Sequence, residues 1–200
     1  MSLIIAINTA SKESAVALIE GKKILGEESW ESNANESEKV LPAIQGLLKV
    51  ASKTWEDLEA VFVVKGPGAY TSLRVGINIA NSMAWKLKVP MKRADVFAVW
   101  ESRIKEENQK EPHLVVIAGG RDKYLLKGDQ GPHALEEIEA MKKACYGEVP
   151  SDFALKKEVS KSFGEGLVAM KLDELEEVQL VEPLYARPPD ITKPKPKIRS

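Results

Sequence analysis

The chain has 200 residues, of which 29 are basic and 30 acidic, so its formal net charge at pH 7 is −1. This balance excludes a nucleic-acid binder that depends on overall positive charge, and the 44% content of hydrophobic residues excludes an acidic disordered chain. A single cysteine, Cys145, excludes an internal disulfide framework and any zinc site built from several cysteines. No apolar run approaches the roughly 18 residues of a membrane span. The short run Leu3–Ile7 lacks the basic lead-in of a signal peptide, so we expect a cytoplasmic protein with no membrane contact.

Three strand-like segments open the chain, at Leu3–Asn8, Ser14–Glu20 and Lys23–Trp30. Their short connections predict an antiparallel meander. The following segment, Glu36–Ser52, has apolar residues at steps of three and four, which predicts a helix with one buried face. Pro42 falls near the start of this helix, where proline is tolerated best.

A buried strand is predicted at Ala60–Lys65, and a second helix at Thr71–Leu87. This helix is apolar or small on two sides, which are formed by Leu73, Ile77, Ala80 and Ala84 and by Val75, Ile79 and Met83. A helix that is apolar around most of its circumference is covered on both sides. In a lobe this small, another chain could cover the second apolar side of the helix, so the pattern favours oligomerisation.

The second half of the chain carries weaker signals. Asp95 is a candidate N-cap for a helix that ends before Pro112, and strands are predicted at His113–Ala118 and Lys123–Lys127. The spacing over Ala134–Cys145 predicts a further amphipathic helix. We therefore divide the chain into a first lobe, 1–92, with the order β-β-β-α-β-α, a second, divergent lobe, 93–187, and a flexible Pro/Lys-rich tail, 188–200.

A glycine-rich turn between the buried strand and the second helix is the strongest local motif. Gly66, Pro67 and Gly68 precede Thr71 at the start of the helix, where unpaired backbone N–H groups and the positive end of the helix dipole could bind an anion. Thr71 or Ser72 could also cap the helix. The alternative is that the glycines only make the turn, because strand-to-helix turns need such residues anyway. The phosphate-binding motif G-x-x-x-x-G-K-[ST] is not matched.

Metal and nucleophile chemistry find little support in the sequence. His113 and His133 are twenty residues apart and form no H-x-x-x-H pair, so no metal site is predicted. Cys145 is interpreted as a small buried residue.

Four motifs together resemble a known family. They are I-I-A-I-N-T-A-S at Ile4–Ser11, E-S-E-K-V-L-P at Glu36–Pro42, G-P-G-A-Y-T-S-L-R-V-G at Gly66–Gly76 and P-L-Y-A-R at Pro183–Arg187. On these residues the chain resembles the TsaB (YeaZ) family of bacterial tRNA threonylcarbamoyladenosine biosynthesis proteins. The similarity covers the first ninety or so residues best.

The resemblance implies an α/β protein with the two-lobed actin-like ATPase (RNase H-like) fold, with mixed sheets flanked by helices and a shortened second lobe. It implies a non-catalytic scaffold or activating subunit whose first-lobe helices dock on the paralogous transferase subunit, TsaD, alongside the ATPase TsaE. It also implies a homodimer when the chain is alone, and only indirect contact with tRNA. The chain alone would need no cofactor, whereas ATP or ADP could bind at the interface of the complex. The partner-binding residues carried over from the motifs are Glu38, Leu41, Pro42, Arg74 and Gly76.

Several positions depart from the family pattern. Asn8 stands where the family usually has aspartate, Glu36 replaces the usual histidine and Ser72 replaces a glycine. The sequence Ala118–Tyr124 also differs from the family's second lobe. Actin-like ATPases and sugar kinases use that aspartate for magnesium, and a neutral amide is a poorer ligand for a hard dication. The alternative function, a small nucleotide-dependent phosphotransferase of the actin-like/sugar-kinase superfamily, is therefore disfavoured. A metalloprotease is disfavoured too, because the chain has no paired histidines.

Overall fold

The computed structural model describes residues 2–120, 122–129 and 131–185. This part of the chain forms two β-sheets, one of six strands and one of four, with helices packed on them. The predicted tail, 188–200, lies outside the described residues, as do Ala186 and Arg187 at the end of the P-L-Y-A-R motif.

The first sheet is built around a fully buried central strand. Strands β1 (Leu3–Asn8), β2 (Glu13–Glu20) and β3 (Lys23–Glu31) form the predicted antiparallel meander. Strand β4 (Ala60–Val64) lies parallel to β1 on its other side. Every residue of β1 and β4 is buried, as expected for strands covered on both faces.

Two helices cover one face of this sheet. Helix α1 (Glu36–Val50) packs on β2 and β3, whereas α2 (Tyr70–Leu87) packs on β4 and β1. The predicted capping of α2 by Thr71 or Ser72 is wrong: the helix begins at Tyr70, the N-cap position is Ala69, and no side chain caps it. After α2, strand β5 (Met91–Ala94) pairs parallel to β4, an element that the sequence did not indicate.

The helix expected between Asp95 and Pro112 is divided in two. Asp95 is its N-cap as predicted, since its Oδ1 accepts the Ala98 N–H at 2.8 Å. Helix α3 (Val96–Ser102) ends there, however, and α4 (Glu106–Gln109) is a separate turn. The break follows from tertiary contacts, because the Arg103 carbonyl accepts two backbone N–H groups, at 3.2 Å each, from a distant segment. Such long-range bonds override local helical periodicity.

The second sheet repeats the order of the first in shortened form. Its strands are β6 (His113–Gly120), β7 (Lys123–Leu126), β8 (Pro132–His133) and β9 (Ala144–Gly147). They lie in the order β8-β7-β6-β9, with β7 antiparallel and β9 parallel to β6. The first sheet contains the equivalent order β3-β2-β1-β4. The second sheet is therefore a shortened version of the first.

The helix predicted over Ala134–Cys145 is wrong in its second half. Helix α5 (Leu135–Ala140) is short, and Lys142 adopts a left-handed conformation, φ 53°, that ends it. Cys145 then lies on β9, fully buried and paired with Leu114 of β6. The interpretation of Cys145 as a buried small residue is correct, and burial raises the pKa of its thiol, but it belongs to a strand. Pairing with a strand 30 residues away cannot be read from local spacing.

The chain finally returns to the first sheet. Helix α6 (Phe163–Ala169) packs on β2 and β3, and strand β10 (Glu177–Val178) pairs with β5. Adjacent residues of β3 show that α6 and α1 lie on opposite faces: Glu27 contacts the start of α6, and a side chain at Gly26 would meet Leu47 of α1. The predicted boundary between residues 92 and 93 falls within β5, and the division into lobes stays a prediction.

Candidate functional site

The outer face of α1 and α2 is the candidate site, and a buried carboxylate sets the arrangement of the two helices. Glu36, in the first turn of α1, accepts hydrogen bonds from Ser32 Oγ and, at 3.4 Å, from Ser14 Oγ. Ser32 Oγ also lies 3.3 Å from the Oγ of Ser72 in the first turn of α2. The two helices therefore begin at the same end and run side by side. A negative side chain there also suits the positive helix ends.

A wide groove runs between the outer surfaces of the two helices. Its volume is about 600 Å³, and it is bordered at one end by the 3₁₀ turn Trp55–Asp57. The residues that line it are mostly apolar: Leu41, Trp55, Glu56, Asn78, Ile79, Ser82, Met83, Lys86 and Leu87. Ile79 and Met83 belong to the second apolar side predicted for α2. Ile79 is half-buried, whereas Met83 is buried in the core, so only part of this side of the helix is open to solvent.

Two large apolar side chains of these helices are exposed. Leu41 on α1 lines the groove and is 43% exposed, whereas Trp85 near the end of α2 is 82% exposed and lines a neighbouring pocket. Exposing apolar area to water costs about 25 cal/mol per Å², and contiguous exposed apolar surface often marks an interaction site. The sequence analysis missed Trp55 and Trp85. Trp85 shares a helical stripe with the polar residues Asn78 and Ser82, so its position looked solvent-facing rather than functional.

The predicted partner-binding residues fall into two groups. Glu38, Leu41, Pro42 and Arg74 are exposed on α1 and α2. Arg74 donates to Tyr70 Oη at 2.8 Å, with its guanidinium carbon 5.3 Å from the centre of that ring. Gly76, by contrast, is on the buried side of α2, against Thr9.

The predicted anion-binding turn is packed against other parts of the chain. Gly66 is followed by a cis peptide bond to Pro67 and has φ 104°, and a Cβ there would overlap the Leu184 carbonyl oxygen. A Cβ at Gly68 would overlap the carbonyl oxygen of Ala10. The negative ends of two carbonyls therefore face the turn, and they would repel an anion. Pro67 is buried and Thr71 is exposed, so the geometry gives the anion-binding prediction no support.

The cleft beside Asn8 does not have the form of a nucleotide site. The Asn8 amide is buried and already used, since its Oδ1 accepts the Ala10 N–H at 3.0 Å and its Nδ2 donates to Ser11 Oγ at 3.2 Å. The neighbouring cavity measures about 140 Å³. A ligand as large as a nucleotide needs a site of the size usual for drug-sized molecules, about 300–1,000 Å³. Among residues 2–120, 122–129 and 131–185, no cluster of histidine, cysteine or acidic side chains could hold a metal ion.

One buried carboxylate joins the two sheets. Glu148, just after β9, is 7% exposed and accepts the Lys12 N–H at 2.6 Å and the Ala118 N–H at 3.0 Å. Lys12 belongs to the β1–β2 turn and Ala118 to β6, so Glu148 holds the sheets in a fixed relation. Burial raises the pKa of Glu148, although both N–H donors and the Lys12 charge act in the opposite direction.

The raised pKa predicts a specific pH dependence of stability. Because the folded protein holds the Glu148 proton more tightly than the unfolded chain, this residue stabilises the fold most at low pH, and that contribution is lost as pH rises. We expect the free energy of unfolding of the wild type to fall relative to Glu148→Gln above the ordinary glutamate pKa of 4.5. The slope should approach about 1.4 kcal/mol per pH unit until the raised pKa is passed. Urea titrations across pH measure it, and parallel curves would contradict the prediction.

The strand order and the structural relatives define the class of this protein. An antiparallel β1–β2–β3 meander, with β4 and β5 added parallel to β1, is the RNase H-like core of the actin-like ATPase fold. A solved structure, YeaZ from Pseudomonas aeruginosa, aligns with a TM-score of 0.68 at 17% identity, over 92% of this chain and 100% of that chain. The fold predicted from the family resemblance is confirmed.

Sequence comparison gives the family. The family model described as TsaD: tRNA N6-adenosine threonylcarbamoyltransferase matches residues 29–172, so the chain belongs to that family. Within it, the chain is of the TsaB/YeaZ type, as the sequence motifs predicted.

Two curated relatives are both described as tRNA threonylcarbamoyladenosine biosynthesis protein TsaB. The protein from Bacillus subtilis is 33% identical over 88 residues, covering 44% of this chain and 38% of the relative. The protein from Buchnera aphidicola is 30% identical over 115 residues, covering 58% of this chain and 54% of the relative. The chain therefore matches less than two thirds of the length of either relative. No helix within the described part of the chain is both long and apolar enough to span a membrane.

Proposed function

We propose that this protein is a non-catalytic subunit in the biosynthesis of threonylcarbamoyladenosine in tRNA, and that the outer face of α1 and α2 docks on a paralogous TsaD-like transferase. The family membership and the names of its relatives support the pathway. The groove between α1 and α2 carries the proposal for docking, because five of its nine lining residues are apolar and it is open to solvent.

The groove has the composition expected of a protein interface. It combines aromatic, aliphatic and methionine side chains with a few polar residues at its border. Leu41 lines the groove and is exposed, so its side chain can enter a pocket of a partner. Of the predicted partner-binding residues, Leu41 lines the groove, and Glu38, Pro42 and Arg74 are exposed elsewhere on the same two helices. Gly76 contributes indirectly, since it lets α2 lie close to the sheet.

The cleft explains why the proposed role is non-catalytic. Asn8 offers an amide where a magnesium-binding carboxylate would be needed, and the small cavity beside it has no room for a nucleotide. Any ATP or ADP would bind at the interface of the complex, in company with a TsaE-like ATPase. Contact with tRNA is proposed to be indirect, through the catalytic subunit, in a cytoplasmic complex.

Light scattering coupled to size-exclusion chromatography tests the proposal. The chain, whose monomer mass is 22.1 kDa, is run alone and mixed with the TsaD-like paralogue from the same organism. We expect a 1:1 or 2:2 complex in the mixture. We expect a homodimer when the chain is alone, because pairing of two copies would bury the same exposed apolar face. A folded, strictly monomeric chain that leaves the elution of the paralogue unchanged at micromolar concentrations would contradict the proposal.

A further inference from the structure

The small cavity beside Asn8 lies on the opposite side of the first sheet from the partner face. It has a volume of about 140 Å³ and lies between the strands β1 to β3 and the start of α6. Its lining is polar apart from one alanine and one phenylalanine, and comprises Asn8, Glu13, Ala15, Glu27, Ser29, Arg103, Ser162 and Phe163. It contains charges of both signs.

The Arg103 guanidinium is held in place by a hydrogen bond from its Nε and by contact of its planar face with an aromatic ring. Its Nε donates to the Lys161 carbonyl at 3.1 Å, and its central carbon lies 4.5 Å from the centre of the Trp100 ring. Burial lowers the pKa of Arg103, while Glu13 and Glu27 favour its charged form. In the part of the chain that the structure describes, no hydrogen bond or ion pair engages its two terminal nitrogens. A fixed guanidinium with its terminal nitrogens unengaged suits bidentate binding of a carboxylate.

The two carboxylates of the cavity differ in what they have left to bind. Glu27 is fully used, because it accepts the N–H groups of Phe163 and Gly164, at 2.9 Å each, and the Ser162 hydroxyl at 2.7 Å. Glu13 accepts only the Ser29 hydroxyl, at 2.9 Å, through one oxygen. Its second oxygen makes no hydrogen bond to any described residue, and Glu13 is exposed. The cavity thus retains the two terminal nitrogens of Arg103 and one oxygen of Glu13 as groups that can still bind a ligand.

We propose that this cavity binds a small zwitterionic α-amino acid, with its carboxylate on Arg103 and its ammonium on Glu13. A volume of about 140 Å³ equals the share of about five water molecules in the liquid, which is the size of glycine or alanine. A zwitterion meets both open charges at once, whereas a simple anion would face Glu13 unpaired. The inference does not depend on the role proposed for α1 and α2.

Titration of the ¹⁵N-labelled full chain with glycine and L-alanine, followed by NMR, tests this site. We expect saturable shifts of the Arg103 Nε–H signal, with a dissociation constant of roughly 1 mM or weaker for so small a ligand. Acetate and methylamine carry one charge each and should bind at least about tenfold more weakly. L-Leucine should be excluded by size.

Variants separate the two charges. Glu13 is exposed, so we expect Glu13→Gln to fold. This variant should lower the affinity for glycine about tenfold and should leave the affinity for acetate unchanged or raise it. Arg103→Lys should weaken both ligands, with thermal unfolding used to confirm that it folds. Glu28→Gln, an exposed neighbour on β3 outside the cavity, is the matched control and should bind as the wild type does. Shifts that never saturate, or glycine binding that is unchanged in Glu13→Gln, would overturn the proposal.

Discussion

We expect the substitution Gly76→Ala to destabilise the protein by about 1–3 kcal/mol, the usual cost of forcing extra volume into a packed interior. A Cβ at this position would overlap Thr9 Oγ1 and would lie 3.0 Å from its Cγ2. Thr9 is 1% exposed and sits in the turn after β1, so it has no free space to move into. Helix α2 would have to lift from the sheet. Chemical denaturation measures the free energy of unfolding.

The matched control has the opposite expected sign. Gly46 lies in the interior of α1, is exposed, and a Cβ there would meet nothing within 4 Å. Gly46→Ala should therefore stabilise the protein by about 0.5–1 kcal/mol, the ordinary gain of alanine over glycine within a helix. Equal effects of the two substitutions would show that helix propensity, rather than the Thr9 contact, determines the result at Gly76.

A double-mutant cycle isolates the contact itself. Thr9→Ala removes Oγ1 and Cγ2, the two atoms that a Cβ at Gly76 would approach most closely, and leaves the Thr9 Cβ at 3.1 Å. It also removes a buried hydroxyl that has no hydrogen-bond partner among the described residues. We expect the double variant Thr9→Ala/Gly76→Ala to be more stable than the sum of the two single effects predicts. Strict additivity would mean that Thr9 is not what restrains α2.

The sequence predicts the first lobe well because its signals are local. The meander, both helices and β4 were placed within one or two residues, since strand burial and helical spacing are visible within each segment. In the second half, structure depends on distant partners. Strand β9 exists because it pairs with β6, and α3 ends because Arg103 bonds a segment almost sixty residues away. Local periodicity within each segment reveals neither feature.

The candidate site was predicted only in part for a related reason. The two apolar sides of α2 indicated that a second surface needed cover, and Ile79 and Met83 do line the groove. The glycine-rich turn, however, suggested an anion site because its neighbours were unknown. The Leu184 and Ala10 carbonyls that face this turn come from other parts of the chain. A motif shows what a backbone can bind, but the surrounding structure decides whether the space is available.

The partner face should be sensitive to a charge at its centre and tolerant of one at its margin. We expect Leu41→Lys to weaken binding of the TsaD-like paralogue at least roughly 30-fold, which equals about 2 kcal/mol, because an ammonium would be buried against apolar side chains. Trp85→Ala should also weaken binding if the interface extends along α2 beyond the groove, since Trp85 is 82% exposed and tryptophan is enriched among interface hot spots. Calorimetric titration of each variant into the paralogue measures both.

Val50→Lys is the matched control for this experiment. Val50 also lies on α1 and is 81% exposed, but it does not line the groove. The same lysine at the last residue of α1 should leave affinity within about threefold of the wild type, and it suits the negative end of the helix. Because both substitutions replace an exposed apolar residue by lysine, a difference between them reports position alone. Equal losses at Leu41 and Val50 would show that the loss does not depend on the groove, and full affinity in Leu41→Lys would remove the groove from the binding surface.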